Sequence, residues 1–281
     1  MALLALLAVL LPTMAGCEDD EDREIGSYVA LGDSFTSGAG LAQPVARTGD
    51  CAQSGLSYPR LVAKRTGASL VDASCGGAST LHMTADQELA SGVSWPAQLD
   101  AVTLDTDLVT VGLGYNDDAY YGAALLGCTE ATATNPEGHP CQDLAAAKED
   151  PGVTSARIGD RVRVVLESVR DRAPDAQVLL VGYPQLVPES GTCPELPLAA
   201  GDYRYVHDLL ELLDESLRKA ADDAGATFVD VYTASRGHDI CAGDQAWVNG
   251  FETEPERALL YHPFAAEQQA VADLVVAALG S

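Results

Sequence analysis

Short apolar runs alternate along this chain with longer stretches in which apolar residues recur every three or four positions. Tyr28 to Gly32 is such a run, and it ends on a glycine where a tight turn can begin. Leu70 to Ala73, Leu108 to Gly112, Val178 to Val181 and Thr227 to Val231 repeat the type. Between them, Ile158, Val162, Val165, Leu166 and Val169 keep helical spacing until Pro174 stops the helix. Val206, Leu209, Leu210, Leu213 and Leu217 mark a second amphipathic helix ending near Gly225, and Phe264 to Leu279 a third, with Pro263 at its opening turn. Strands separated by helices of this length predict a parallel sheet covered on both faces. The expectation is one α/β domain over residues 27–281, a three-layer α/β/α sandwich on a five-stranded, mainly parallel sheet.

The amino-terminal stretch does not fit that alternation. Ala2 to Leu11 is apolar throughout but far shorter than the roughly 20 residues a bilayer span needs, which predicts a signal segment over residues 1–16. Small residues Ala15 and Gly16 stand directly before Cys17, the arrangement of a bacterial lipoprotein processing site with Cys17 as lipid anchor. Glu18 to Glu24 holds six acids and one Arg, which cannot bury enough apolar surface to fold, so residues 17–26 read as an acidic tether.

Charge narrows the partners. The chain carries 42 Asp and Glu against 16 Lys and Arg, a formal net charge of −26. Nucleic acid and anionic membrane surfaces need clustered cations that this composition does not supply. Membrane contact is therefore expected only through the anchor, and the domain is expected to be monomeric. Apart from Cys17, six cysteines remain, an even number that fits an oxidising compartment outside the cytoplasm. Six cysteines allow fifteen connectivities, and sequence does not choose among them. Pairing of neighbours, Cys51 with Cys75, Cys128 with Cys141 and Cys193 with Cys241, is the expectation, each closing a loop between elements. No pair has C-x-x-C spacing, so no metal and no cofactor are expected.

In parallel sheets ligands bind beyond the carboxyl ends of the strands. There the sequence places Gly32-Asp33-Ser34-Phe35-Thr36-Ser37-Gly38, Cys75-Gly76-Gly77-Ala78-Ser79, Gly114-Tyr115-Asn116-Asp117 and, after the last strand, His262-Pro263. These four blocks, in this order, resemble the SGNH hydrolases, the GDSL esterase/lipase family, and most of all its secreted bacterial branch with three disulfides. The resemblance implies a serine esterase or lipase with Ser34 as nucleophile and His262 as general base. It further implies an oxyanion hole from the Ser34 and Gly77 main chain and the Asn116 side chain. A serine hydroxyl needs an imidazole to take its proton at neutral pH, and fixed N–H donors stabilise the oxyanion that follows. Asp33 and Asp117 are expected to support the turns from behind.

The family usually places an Asp three residues before the His, and here that position is Leu259. The expectation is that the Leu259 main-chain carbonyl orients the imidazole, with Glu254 or Glu256 as the competing partner. A deacetylase or acyltransferase on the same residues is an alternative reading. A non-catalytic surface lipoprotein that binds glycan or protein is another. Tyr120 to Pro151 shows no strong periodicity and reads as an irregular segment that walls an acyl pocket, braced by Cys128 and Cys141.

Overall fold

The computed structural model describes residues 25–46, 49–146 and 149–280. The expected signal segment, Cys17 and all but the end of the tether lie outside the described residues. Five strands form the sheet: β1 (Ser27–Gly32), β2 (Ser69–Asp72), β3 (Leu108–Gly112), β4 (Gln177–Val181) and β5 (Thr227–Val229). Their order is β2-β1-β3-β4-β5, and every pairing is parallel. Chain order reverses between β1 and β3, so the crevice at their carboxyl ends is the switch point where such sheets bind ligands.

Alternation along the strands feeds two cores. Val29 and Leu31 of β1 face one side of the sheet and join a cluster with Ile158, Val162, Leu213 and Leu217. Tyr28 and Ala30 face the other side and pack with Tyr58, Val62, Val271 and Val275. The first side is covered by α3 (Pro151–Arg172) and α4 (Tyr203–Ala224), whose apolar stripes are those the spacing predicts. Asp150 caps α3 by accepting from the Gly152 N–H at 2.7 Å, and Pro151 occupies the opening turn. Gly225, at φ 64°, closes α4. The other side is covered by α2 (Tyr58–Thr66), which the hydrophobic pattern does not single out, and by α5 (Ala265–Leu279). Gln268 of α5 accepts from the Tyr58 N–H at 2.7 Å and donates to the Phe35 carbonyl at 2.9 Å, so α5 and α2 are both tied to the turn after β1.

Segment 120–146 differs from its expected irregularity. It forms a chain of short helical turns, among them Cys128–Thr132 and Pro140–Ala145. Each holds only five or six residues, too few for a periodicity to emerge from the sequence. Disulfides join Cys51 to Cys75, Cys128 to Cys141 and Cys193 to Cys241, and each closes a local loop. Among the described residues, no helix is long and apolar enough to cross a membrane.

Helices α3 and α4 approach most closely at Gly159, where a Cβ would stand 2.8 Å from the Ser216 carbonyl oxygen. Gly159→Ala should therefore force the helices apart. A gain of about 1 kcal/mol in helix propensity is outweighed by an overpacking cost of about 1–3 kcal/mol. The variant is expected to unfold at lower denaturant than the parent in a urea titration, and equal or greater stability would refute this account.

Candidate active site

The block after β1, which holds the candidate nucleophile Ser34, owes its shape to Asp33. Its Oδ1 accepts from the Phe35 N–H at 2.9 Å, capping the four-residue helical turn α1 (Ser34–Ser37) that starts immediately after β1. Oδ2 accepts from the Tyr183 hydroxyl at 2.6 Å. Asp33 is completely buried, and burial pushes its carboxyl up to about 7 against the opposing effect of these hydrogen bonds. Ser34 is the first residue of α1, where the helix ladder makes no use of the main-chain N–H. Chain reversal at the turn brings Ser34 to the top of the sheet.

His262 meets it there. The Ser34 hydroxyl lies 2.9 Å from His262 Nε2, across 228 positions of sequence. On the far side of the ring, Nδ1 lies 2.7 Å from the Leu260 carbonyl. A carbonyl can only accept, so Nδ1 carries the proton and Nε2 turns its lone pair toward the serine. Burial holds the imidazole below the ordinary histidine range, with the Leu260 hydrogen bond acting weakly the other way.

The orienting oxygen is that of Leu260 rather than the expected Leu259. The reason lies in the loop. The Leu259 carbonyl already accepts from the His262 N–H at 3.2 Å, closing a turn, and from Asn249 Nδ2 at 3.0 Å. Tyr261 takes a left-handed backbone, φ 57°, which lets the chain curl so that the preceding carbonyl faces the ring. Neither glutamate competes. Glu254 pairs with Arg257, and Glu256 points into solvent.

The two candidate oxyanion blocks are laced to each other. Asn116 Nδ2 donates to the Ala78 carbonyl at 2.9 Å, which uses one of its two N–H bonds. Gly77 has φ 75°, a conformation that suits glycine, and a Cβ there would meet only Gln87 Nε2, at 3.7 Å. Asp117, buried, accepts from the Thr80 N–H at 3.1 Å and from the Thr80 hydroxyl. Turn 75–80 therefore cannot move without turn 114–119. Ser34, His262, Gly77 and Asn116 thus come from four separate strand or loop ends to one rim of the sheet, with Asp33 and Asp117 beneath.

Several contributors were not singled out by sequence. Tyr121 donates its hydroxyl to the Tyr261 carbonyl, and Tyr261 in turn hydrogen bonds through its own hydroxyl to Thr129 at 2.9 Å. Segment 120–132 thus braces the residue next to His262. Phe35 packs against the imidazole with ring centroids 5.3 Å apart. Asn249 holds the histidine loop through three carbonyls and accepts, by its main chain, nothing from the ring itself. A lone Asn or Tyr in a loop carries no pattern that would reveal this. Glu267, fully buried behind the nucleophile turn, is pushed up to about 8 by burial and so adds little charge there at neutral pH.

One group of metal-ligating types occurs among the described residues. His207, Asp208 and Glu211 bring one ligand atom each within 4.8 Å of the others. Asp208 is already paired with Arg204 at 2.8 Å, and His207 lies 3.3 Å from both Gln185 Nε2 and the Tyr232 hydroxyl. None of these residues bonds to the Ser34–His262 pair.

Known proteins share this fold. Residues 30–278 match the family described as GDSL-like Lipase/Acylhydrolase. "Lipase 2" of Streptomyces coelicolor is 38% identical over 226 residues, 79% of this chain and 75% of that protein. The solved phospholipase A1 from Streptomyces albidoflavus superposes with a TM-score of 0.73 at 27% identity, covering 90% of this chain and 99% of the other. The extracellular lipase from Streptomyces rimosus does so with a TM-score of 0.73 at 28% identity, over 90% and 99%. With the family match spanning nearly the whole domain and relatives that are lipases and esterases, the chain belongs to the GDSL-like lipase/acylhydrolase family and is a carboxylic ester hydrolase.

Proposed function

We propose that this protein hydrolyses esters through an acyl-enzyme on Ser34, with His262 as the only proton-transferring side chain. The observation that carries this reading is the 2.9 Å contact between the Ser34 hydroxyl and a His262 Nε2 whose opposite nitrogen is held by a carbonyl. Ser34 Oγ bonds to the ester carbonyl carbon while its proton passes to Nε2. The carbonyl oxygen becomes an oxyanion and accepts from the Ser34 and Gly77 N–H groups and from the second N–H of Asn116. Collapse of the tetrahedral intermediate breaks the ester C–O bond, and the alkoxide leaves with the proton from His262. Water then takes the alcohol's place: its oxygen bonds to the acyl carbon as its proton passes to Nε2, and the second tetrahedral intermediate collapses by breaking the bond to Ser34 Oγ, which regains the proton from Nε2 as the acid leaves.

A carbonyl fixes the tautomer as an aspartate would, but it contributes a partial charge rather than a full one to the imidazolium. Asp33 and Asp117 serve as positioning residues. The first shapes the nucleophile turn, and the second joins the two oxyanion turns. We further propose export through the segment 1–16, with Cys17 as lipid anchor and 17–26 as tether. Three disulfides favour an oxidising compartment, and a similar solved protein is an extracellular lipase.

Ser34→Ala should lower turnover of p-nitrophenyl acetate by at least about a thousandfold, with the thermal unfolding midpoint little changed. Retained turnover would show that the nucleophile lies elsewhere. Asn116→Ala should cost about 10²–10³ in kcat, because its contact strengthens as charge develops on the carbonyl oxygen. A change confined to KM would contradict that role.

The pH profile follows from the imidazole. His262 must be neutral to accept a proton, and burial lowers its pKa, so activity persists on the acid side of the ordinary histidine range. A profile of kcat/KM should therefore fall with decreasing pH at a midpoint below about 6.5. A midpoint above that value would mean that the charged imidazole is stabilised in the free enzyme, contrary to this site.

A further inference from the structure

A cleft of about 730 Å³ adjoins the site on the side of the candidate oxyanion donors, bordered by Asn116, Ser79 and Thr80. Its size falls in the ordinary range for small-molecule sites. Leu81, Leu99, Val164 and Val165 supply apolar walls, and Leu81 and Val164 are 64% and 51% exposed. Behind it, segment 120–151 does wall a cavity, of about 400 Å³, together with α3 and α4. This second cavity is lined largely by apolar groups, including Ala124, Leu144, Pro151 and Leu209. It contains none of Ser34, Gly77, Asn116 or His262. The two spaces have two residues in common, Asp118 and Arg157.

Those two residues form an ion-paired bar at the protein surface, with the Arg157 and Asp118 side chains 39% and 30% exposed. Arg157 reaches Asp118 Oδ2 through Nε at 3.1 Å and Nη2 at 2.9 Å, and Glu149 through Nη1 at 2.7 Å. Arg161 holds the other Asp118 oxygen at 3.0 Å. Forked pairing of this kind restricts the guanidinium in a way that a single contact does not. Asp118 and Ala119 both have left-handed backbones, φ 51° and 55°, and two such non-glycine residues in succession persist only where their surroundings over-determine them. The bar therefore stands directly after Asn116-Asp117, where the cleft beside Asn116 meets the second cavity.

The direction of the substrate decides what meets it. The leaving oxygen must face His262 Nε2, which returns the proton, so the acyl side points away from the imidazole. Of the residues proposed to act on the ester the cleft touches Asn116 alone, and it shares no lining with His262 or with its neighbours Phe35, Tyr121 and Leu260. Resting on the esterase reading above, we propose that the acyl chain of the ester lies in the cleft over Asn116. The Arg157–Asp118 pair, which lines both spaces, limits its length by standing between the cleft and the apolar cavity. A methylene chain that reached the bar would have to strip water from an ion pair while offering it no hydrogen bond. Chains that end before it are accepted, and longer ones gain nothing from the apolar space behind.

The test is a series of p-nitrophenyl acetate, butyrate, octanoate and palmitate, run on the full chain and on Arg157→Ala. Removing the guanidinium should raise the ratio of octanoate to acetate kcat/KM by about tenfold or more, the factor a single methylene can contribute on entering an apolar pocket. Arg157→Lys should move the ratio far less. Asp118→Asn, which suits the left-handed backbone, weakens the bar without deleting it and should shift the ratio in the same direction by a smaller amount. This variant decides the matter if Arg157→Ala unfolds. An unchanged ratio, or an equal loss at every chain length, overturns the partition while leaving the hydrolase intact. A parent protein that hydrolyses no member of the series takes both readings down together.

Discussion

The contact on which this structure turns is the one between His262 Nδ1 and the Leu260 main-chain oxygen, 2.7 Å apart. A side chain can swing to its partner, whereas a carbonyl can be aimed only by fixing the peptide that carries it. Much of the surrounding architecture serves that purpose. Asn249 gathers three carbonyls of the histidine loop and accepts the Gly250 N–H at 2.8 Å on its own Oδ1. Its main-chain N–H donates to the His262 carbonyl at 2.9 Å. Tyr121 holds the carbonyl of Tyr261 from the opposite side. With both neighbours of the ring pinned, the Leu260 oxygen has one direction available to it, and that direction is Nδ1.

The electrostatic setting agrees with such a design. The chain as a whole carries a large negative charge, yet no ionised carboxylate touches the imidazole. The two buried acids near the nucleophile turn, Asp33 and Glu267, are both raised by burial, to about 7 and about 8. Desolvation thus favours a neutral His262 in the resting state, ready to accept a proton. In the mechanism proposed above, the imidazolium is stabilised by the oxyanion opposite it and by the Leu260 dipole.

Segment 120–151 links these themes. It supplies Tyr121 and Thr129 to the histidine loop, walls the apolar cavity, and begins immediately after the strained Asp118-Ala119 step. The Cys128–Cys141 disulfide ties two of its helical turns together, so one stretch of chain both braces Tyr261 and lines the apolar cavity.

Apolar runs and helical spacing were enough to locate the five strands and the helices α3, α4 and α5, because strands buried on both faces read as continuous apolar runs and each of these helices buries one face and must repeat its apolar residues at a regular interval. The blocks after β1, β2 and β3 and the pair His262-Pro263 were picked out because ligands in parallel sheets bind beyond the strand ends, and the roles expected of them came from the family resemblance. Helix α2 escaped notice because its nine residues present only a short apolar face. The choice of Leu260 over Leu259, the braces from Tyr121 and Asn249, and the ion-paired bar between two cavities were decided by the folded chain. Each depends on where a loop backbone turns and on partners many positions away, and a loop that satisfies its polar groups one by one leaves no repeating signal in the order of its residues.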